Sequence, residues 1–129
     1  MLALWKEILT VNTGALTFGV IMTLLNMYRP EIHLFLHFFI PCLFVTMFAG
    51  NPWSNWLKLV STMLVDLDHI VAQPIYDPDR CSIGFHPLHS NIAIFSYALL
   101  IMPKKSRIFG TGLMIHMALD GVDCHWLTL

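Results

Sequence analysis

Charge is what this sequence has least of. Only 12% of its 129 residues are Asp, Glu, Lys or Arg, about half of what a soluble domain carries. The net charge of −1 leaves no basic excess of the kind that nucleic acid requires. Cysteine is scarce too. Cys42, Cys81 and Cys124 stand too far apart for CxxC or any other zinc-finger spacing. There is no internal repeat and no low-complexity segment. No small-residue cleavage site follows the first apolar run, which therefore reads as a retained span and not as a removed signal peptide. What is abundant is hydrocarbon. The chain is 57% hydrophobic, with a mean hydropathy of +0.68. These values point to an all-α integral membrane bundle of about five transmembrane helices in a single domain, at ~20 residues per crossing.

Punctuation sets the spans. Residues 8–28 carry no charge. Tyr28-Arg29-Pro30-Glu31 reads as a turn, because Pro and the residue before it resist helix continuation. Residues 32–49 form the second span, ended by Gly50-Asn51-Pro52. Residues 53–71 form the third, with Trp53 and Trp56 where an aromatic belt would lie. Residues 73–86 are the one long loop, broken by Pro74, Pro78 and Gly84. The fourth span is 87–102. The fifth is 107–126 and must include Asp120 and Asp123 to reach across.

With five spans, Lys6, Lys58, Lys104, Lys105 and Arg107 share one side, and only Arg29 and Arg80 share the other. The positive-inside rule makes the first side cytoplasmic, with the amino terminus in and loop 73–86 out. This places the chain in a bacterial inner membrane, with lipid as its neighbour and other membrane subunits reached through the first span. All seven histidines then fall in the outer half: His33, His37, His69, His86, His89, His116 and His125. Seven of the eight acidic residues do likewise, Glu7 being the exception.

Charges in hydrocarbon persist when they pair, line a wet cavity or bind a cation. The densest stretch is Asp66-Leu67-Asp68-His69, at the end of an apolar run. His86 and His89 are an i, i+3 pair. His116, Asp120 and Asp123 share one helix face. Asp68 points away from Asp66 on a regular helix, so either the helix loosens there or one of the two orients a ligating histidine. Imidazole with carboxylate suits zinc, and also iron or manganese, in a mono- or dinuclear site opening to the outer face. The expected ligands are His37, Asp66, Asp68, His86, His89, His116 and Asp120. His33 shares the face of His37, but an i, i+4 pair at a span end is more often interfacial than ligating. His125, beside Trp126, suits the headgroup zone. Asp68, His69 or Asp123 is the expected base, with the metal activating water.

Asp66-x-Asp68-His69, then His89-Ser90, then His116-xxx-Asp120 resembles the small inner-membrane metal-dependent hydrolases of the LexA-binding, inner membrane-associated group. A nearer likeness is to a short bacterial membrane family carrying Asp-Arg-Cys-Ser-x-Gly-Phe-His-Pro-Leu-His-Ser, here Asp79 to Ser90. The resemblance covers about Ile32 to Trp126. It implies a metal-dependent hydrolase of a phosphoester or lipid-borne ester. The Arg-Gly-x-Thr of the larger group is replaced by Phe85-His86-Pro87-Leu88, so Arg80 is the candidate to bind substrate in its place. The alternative is a non-catalytic accessory subunit with a structural metal or polar cluster. Cys81 and Cys124 both fall on the oxidising side and are a candidate disulfide. Cys42, mid-span, is expected to be a free, buried thiol.

Overall fold

The computed structural model describes residues 2–128, with their side chains from Gly14 onwards. The side chains of Lys6 and Glu7, which enter the orientation argument, lie outside that range. No strand occurs among the described residues, and the protein is all-helical. The chain divides into two compact units, Met1–Ile32 and His33–Leu129.

The first unit is dominated by α1 (Leu2–Met27), and only Tyr28 separates α1 from α2 (Arg29–Phe44). The expected four-residue turn is thus a single residue. Pro30 sits in the first turn of α2, where a missing N–H costs nothing, and Ile32 N–H already donates to Tyr28 C=O at 2.9 Å.

The second unit contains the rest of α2, with a short 3₁₀ turn Val45–Met47, then α3 (Pro52–Val60), α4 (Asn91–Leu100) and α5 (Arg107–Trp126). Asn51 caps α3, its side chain accepting from Ser54 N–H, and Pro52 starts the first turn. The expected third span does not stay α-helical. From Ser61 to Val71 it tightens into a 3₁₀ helix. The switch falls where two hydroxyls reach back one turn, Ser61 Oγ to Lys58 C=O at 2.8 Å and Thr62 Oγ1 to Leu59 C=O at 2.6 Å. Such bonds compete with the α-helical ladder. In a 3₁₀ helix residues i and i+3 eclipse. Thr62, Val65 and Asp68 therefore form one inward row, and Asp66 and His69 an adjacent one.

The fourth expected span is shorter than expected. A 3₁₀ turn, Pro87–His89, precedes α4, and α4 has ten residues, a rise of about 15 Å. Ser90 caps it by accepting from Ala93 N–H. At its far end Ser106 Oγ donates to Leu100 C=O, and Arg107 donates to the carbonyls of Ile101 and Met102. Among the described residues one helical stretch, Arg29–Met47, is long and apolar enough to cross a bilayer, with mean hydropathy 1.5.

α5 packs against α3, α4 and the 3₁₀ segment. Two glycines let it approach. A Cβ at Gly112 would stand 2.9 Å from Leu59 C=O and 2.8 Å from Thr62 Cγ2. One at Gly110 would stand 2.7 Å from Ile101 N. The loop before α4 is tied to α5 by a disulfide between Cys81 and Cys124, with Cα atoms 4.8 Å apart. Cys42 is free, but it is exposed on α2 where a buried thiol is expected.

Candidate metal centre

Burial is inverted relative to an ordinary core. The buried apolar residues are few: Val45, Leu59, Val65, Ala72 and Met117. His37, Asn55, Thr62, His86, His89, His116 and Asp120 are buried beside them. His89 is completely buried, and His116 and Asp120 nearly so. Two of the ligand-type residues come from α5, one from the 3₁₀ segment and one from the turn before α4.

Their ligand atoms converge. Asp66 Oδ1 lies 3.2 Å from His89 Nε2 and 3.0 Å from His116 Nε2. Asp120 Oδ2 lies 3.1 Å from His89 Nε2 and 3.3 Å from His116 Nε2. Each imidazole nitrogen faces two carboxylate oxygens, and each oxygen faces two nitrogens. A single N–H points along one line and cannot serve two acceptors equally. Ligand atoms around one cation with bonds of ~2.0–2.1 Å are themselves roughly 3.3 Å apart on a tetrahedron. Asp66, His89, His116 and Asp120 could therefore hold a metal ion.

His89 Nδ1 donates to Asp68 Oδ2 at 3.3 Å, which turns Nε2 toward two carboxylates. His89 Nε2 and Asp120 Oδ2 are buried without a hydrogen-bond partner. Positive charge at this point, a proton on Nε2 or a metal ion between the ligand atoms, offsets the buried carboxylates.

Asp68, expected as a ligand and base, has both carboxylate oxygens engaged by neighbouring groups, and with His69 and His89 it forms a further group that could hold a metal ion. Its Oδ2 also accepts from Leu88 N–H at 2.8 Å, and its Oδ1 accepts from His69 Nδ1 at 3.1 Å. With both oxygens so engaged, it fixes the ring of His89, as carboxylates behind ligating histidines do. His69, also expected as a base, is used at both nitrogens: Ser82 Oγ donates to its Nε2 at 3.2 Å. Asp66 and Asp68, two residues apart, fall on different rows of the 3₁₀ segment.

His86, an expected ligand, stays outside the converging groups. Its ring is buried and stacks on His69 at 3.7 Å, with the His89 ring 5.8 Å away. Burial, and the neighbouring His69, push its pKa below the ordinary imidazole value. Arg80, the candidate for substrate, is taken up by its own loop. It donates to Pro74 C=O at 2.9 Å and to Asp77 at 3.5 Å, and lies 4.7 Å over the Phe85 ring. Asp123, the third expected base, approaches His33 Nδ1 at 4.0 Å, because it lies nearly one turn beyond Asp120. His125 is exposed.

His37 faces the centre, with Nε2 3.5 Å from Asp120 Oδ1. His33, read from sequence as interfacial, does the same at 3.2 Å. The signal that could have found it is the shared face of His33 and His37 combined with the Asp120–Asp123 pair on another helix. Ser82 gave no signal beyond its place in the His86–His89 motif.

An all-helical protein with a buried histidine–aspartate centre able to hold a metal ion is the class that this fold and site define. The chain belongs to a family of unknown function (DUF6122), which it matches over residues 27–127. No curated protein and no solved structure matches it.

Proposed function

We propose that this is a membrane-embedded metal-binding protein whose centre, formed by Asp66, His89, His116 and Asp120, holds zinc. The observation that carries this reading is the set of four nitrogen–oxygen spacings of 3.0–3.3 Å among ligand atoms from three segments, close to the ligand–ligand spacing around a single zinc ion. Iron or manganese would use the same donors at higher coordination number.

Outward-facing hydrocarbon supports the membrane setting. Leu64, Leu67, Ile70, Ile92, Phe95 and Leu99 are all exposed, while many of the buried positions are polar. Water would penalise that surface heavily, and lipid would not. α3 with its 3₁₀ continuation rises ~35 Å, and α5 ~30 Å, against a hydrocarbon core of ~30 Å. We keep the bacterial inner membrane, with the centre near the outer face, as part of this proposal.

The reaction we propose is hydrolysis of a phosphoester or lipid-borne ester. The side chain of Asp66 is 40% exposed, while those of the other three ligands are nearly or fully buried. The centre therefore opens on the Asp66 side. A bound metal supplies Lewis acidity toward an ester oxygen there. Asp120, His89 and His116 hold the ion, and Asp68 keeps the His89 ring oriented. Four protein ligands also suit a closed, structural zinc site, and this favours the accessory-subunit reading as the second choice.

Protein purified in detergent without chelator, assayed on synthetic phosphoester and lipid-ester substrates before and after chelation, separates the two. The hydrolase reading predicts turnover that chelation removes and zinc restores. Bound metal without turnover on either substrate class supports the structural reading. Absence of metal contradicts the hydrolase and leaves the accessory subunit only with a hydrogen-bonded polar cluster.

A further inference from the structure

Asp120 has a second carboxylate oxygen, and it faces a second pair of imidazoles. Oδ2 looks toward His89 and His116. Oδ1 looks toward His33 Nε2 at 3.2 Å and His37 Nε2 at 3.5 Å. The three residues His33, His37 and Asp120 could hold an ion of their own.

The proton on His37 is fixed independently. Its Nδ1 lies 3.0 Å from the carbonyl oxygen of His33. A carbonyl only accepts, so Nδ1 carries the hydrogen, and in the neutral ring Nε2 carries the lone pair. His37 is 4% exposed, and its Nε2 is buried without a hydrogen-bond partner. A buried imidazole lone pair aimed at a buried carboxylate oxygen is the arrangement that a cation relieves. His33 and His37 lie four apart on α2, with rings in edge contact at 4.4 Å, so one helix face presents both nitrogens. His33 is partly exposed, which gives this position its own opening.

We propose that the centre is binuclear: a second divalent metal, of the class bound by imidazole and carboxylate, sits between His33, His37 and Asp120 Oδ1, with Asp120 bridging the two ions. Paired ions in such sites are ~3.5–4 Å apart, the span that a single carboxylate bridges. The inference rests on the proposed first metal position but can fail separately from it. A bridged pair suits a phosphoester better than a carboxylic ester, because two ions can hold the attacking and the leaving oxygen of an in-line displacement.

The test is metal stoichiometry of the full chain in detergent, loaded with zinc and separately with manganese, together with electron paramagnetic resonance of the manganese form. The wild type should bind two ions per chain with a magnetically coupled signal. His37→Gln and His33→Gln should each bind one and show the hyperfine pattern of an isolated ion. One ion per wild-type chain, or two ions that survive both substitutions, would overturn the binuclear centre and leave the first position standing. No ion at all would remove both. If either variant fails to fold, the wild-type stoichiometry and coupling still decide.

Discussion

Asp68 is the residue on which the geometry of the centre turns. It holds His89 Nδ1, His69 Nδ1 and the Leu88 N–H together. Asp68→Asn keeps the shape and weakens these bonds. It should lower metal affinity about 10–100-fold while leaving the ion count at saturation unchanged. Titration with a competing chelator measures this. Asp120→Ala and His116→Ala remove ligands outright, so bound metal should fall at saturation too, and metal should no longer raise the unfolding temperature. A variant of Asp120 that keeps full metal content would show that the ion sits elsewhere. At this scale the sequence was informative about residue type: Asp66, His89, His116 and Asp120, which converge, could be named because carboxylates and imidazoles are costly in an apolar chain. His69 and His86 carry the same signature, and here they stack on each other, while His69 also bonds Asp68 and Ser82. Residue type alone does not separate these arrangements.

The elements bring these residues together through close approaches at glycine and one covalent tie. Gly112→Ala puts a methyl group against the Leu59 carbonyl and the Thr62 side chain. It should cost about 1–3 kcal/mol and loosen the 3₁₀ segment that carries Asp66. Gly121→Ala, on the same helix with nothing within 4 Å of the added Cβ, should be neutral or stabilising by up to ~1 kcal/mol. Thermal unfolding of the pair distinguishes a packing effect from a general propensity effect, and equal behaviour of the two would refute the close approach. The Cys81–Cys124 bridge closes a loop of sequence separation 43. In the chain-entropy model its reduction should cost about 3–4 kcal/mol. Intact mass before and after reduction should differ by about two hydrogens, and no difference would mean the thiols are free. The bridge was open to inference from topology, because both cysteines fall on the same side of the map. The α-to-3₁₀ switch was not, since Ser61 and Thr62 are common in regular helices and their back-bonding depends on context. α4 is short for a related reason. Its first expected turn is spent on Pro87–His89, which presents His89 to the centre.

Among the described side chains many large apolar residues are exposed, while histidines and aspartates are buried beside a few apolar ones. In the proposed membrane setting lipid would tolerate the exposed leucines and phenylalanines, and the buried polar groups would persist by pairing with neighbours or holding a cation. The helical class was legible from hydropathy and Pro/Gly punctuation, and the bounds of α5 coincide with the expected 107–126. The membrane setting remains our proposal, with its own test. A cysteine introduced near Asp77 should react with an impermeant thiol reagent applied from outside, and one placed among Lys104–Arg107 should not. The reverse pattern would put the centre on the cytoplasmic side. The most direct measurement of the central claim is X-ray absorption at the zinc edge on the chain purified without chelator or added metal. The account predicts an edge with a nitrogen/oxygen shell at ~2.0–2.1 Å and no sulfur. No metal edge, or a sulfur shell near ~2.3 Å, would contradict it.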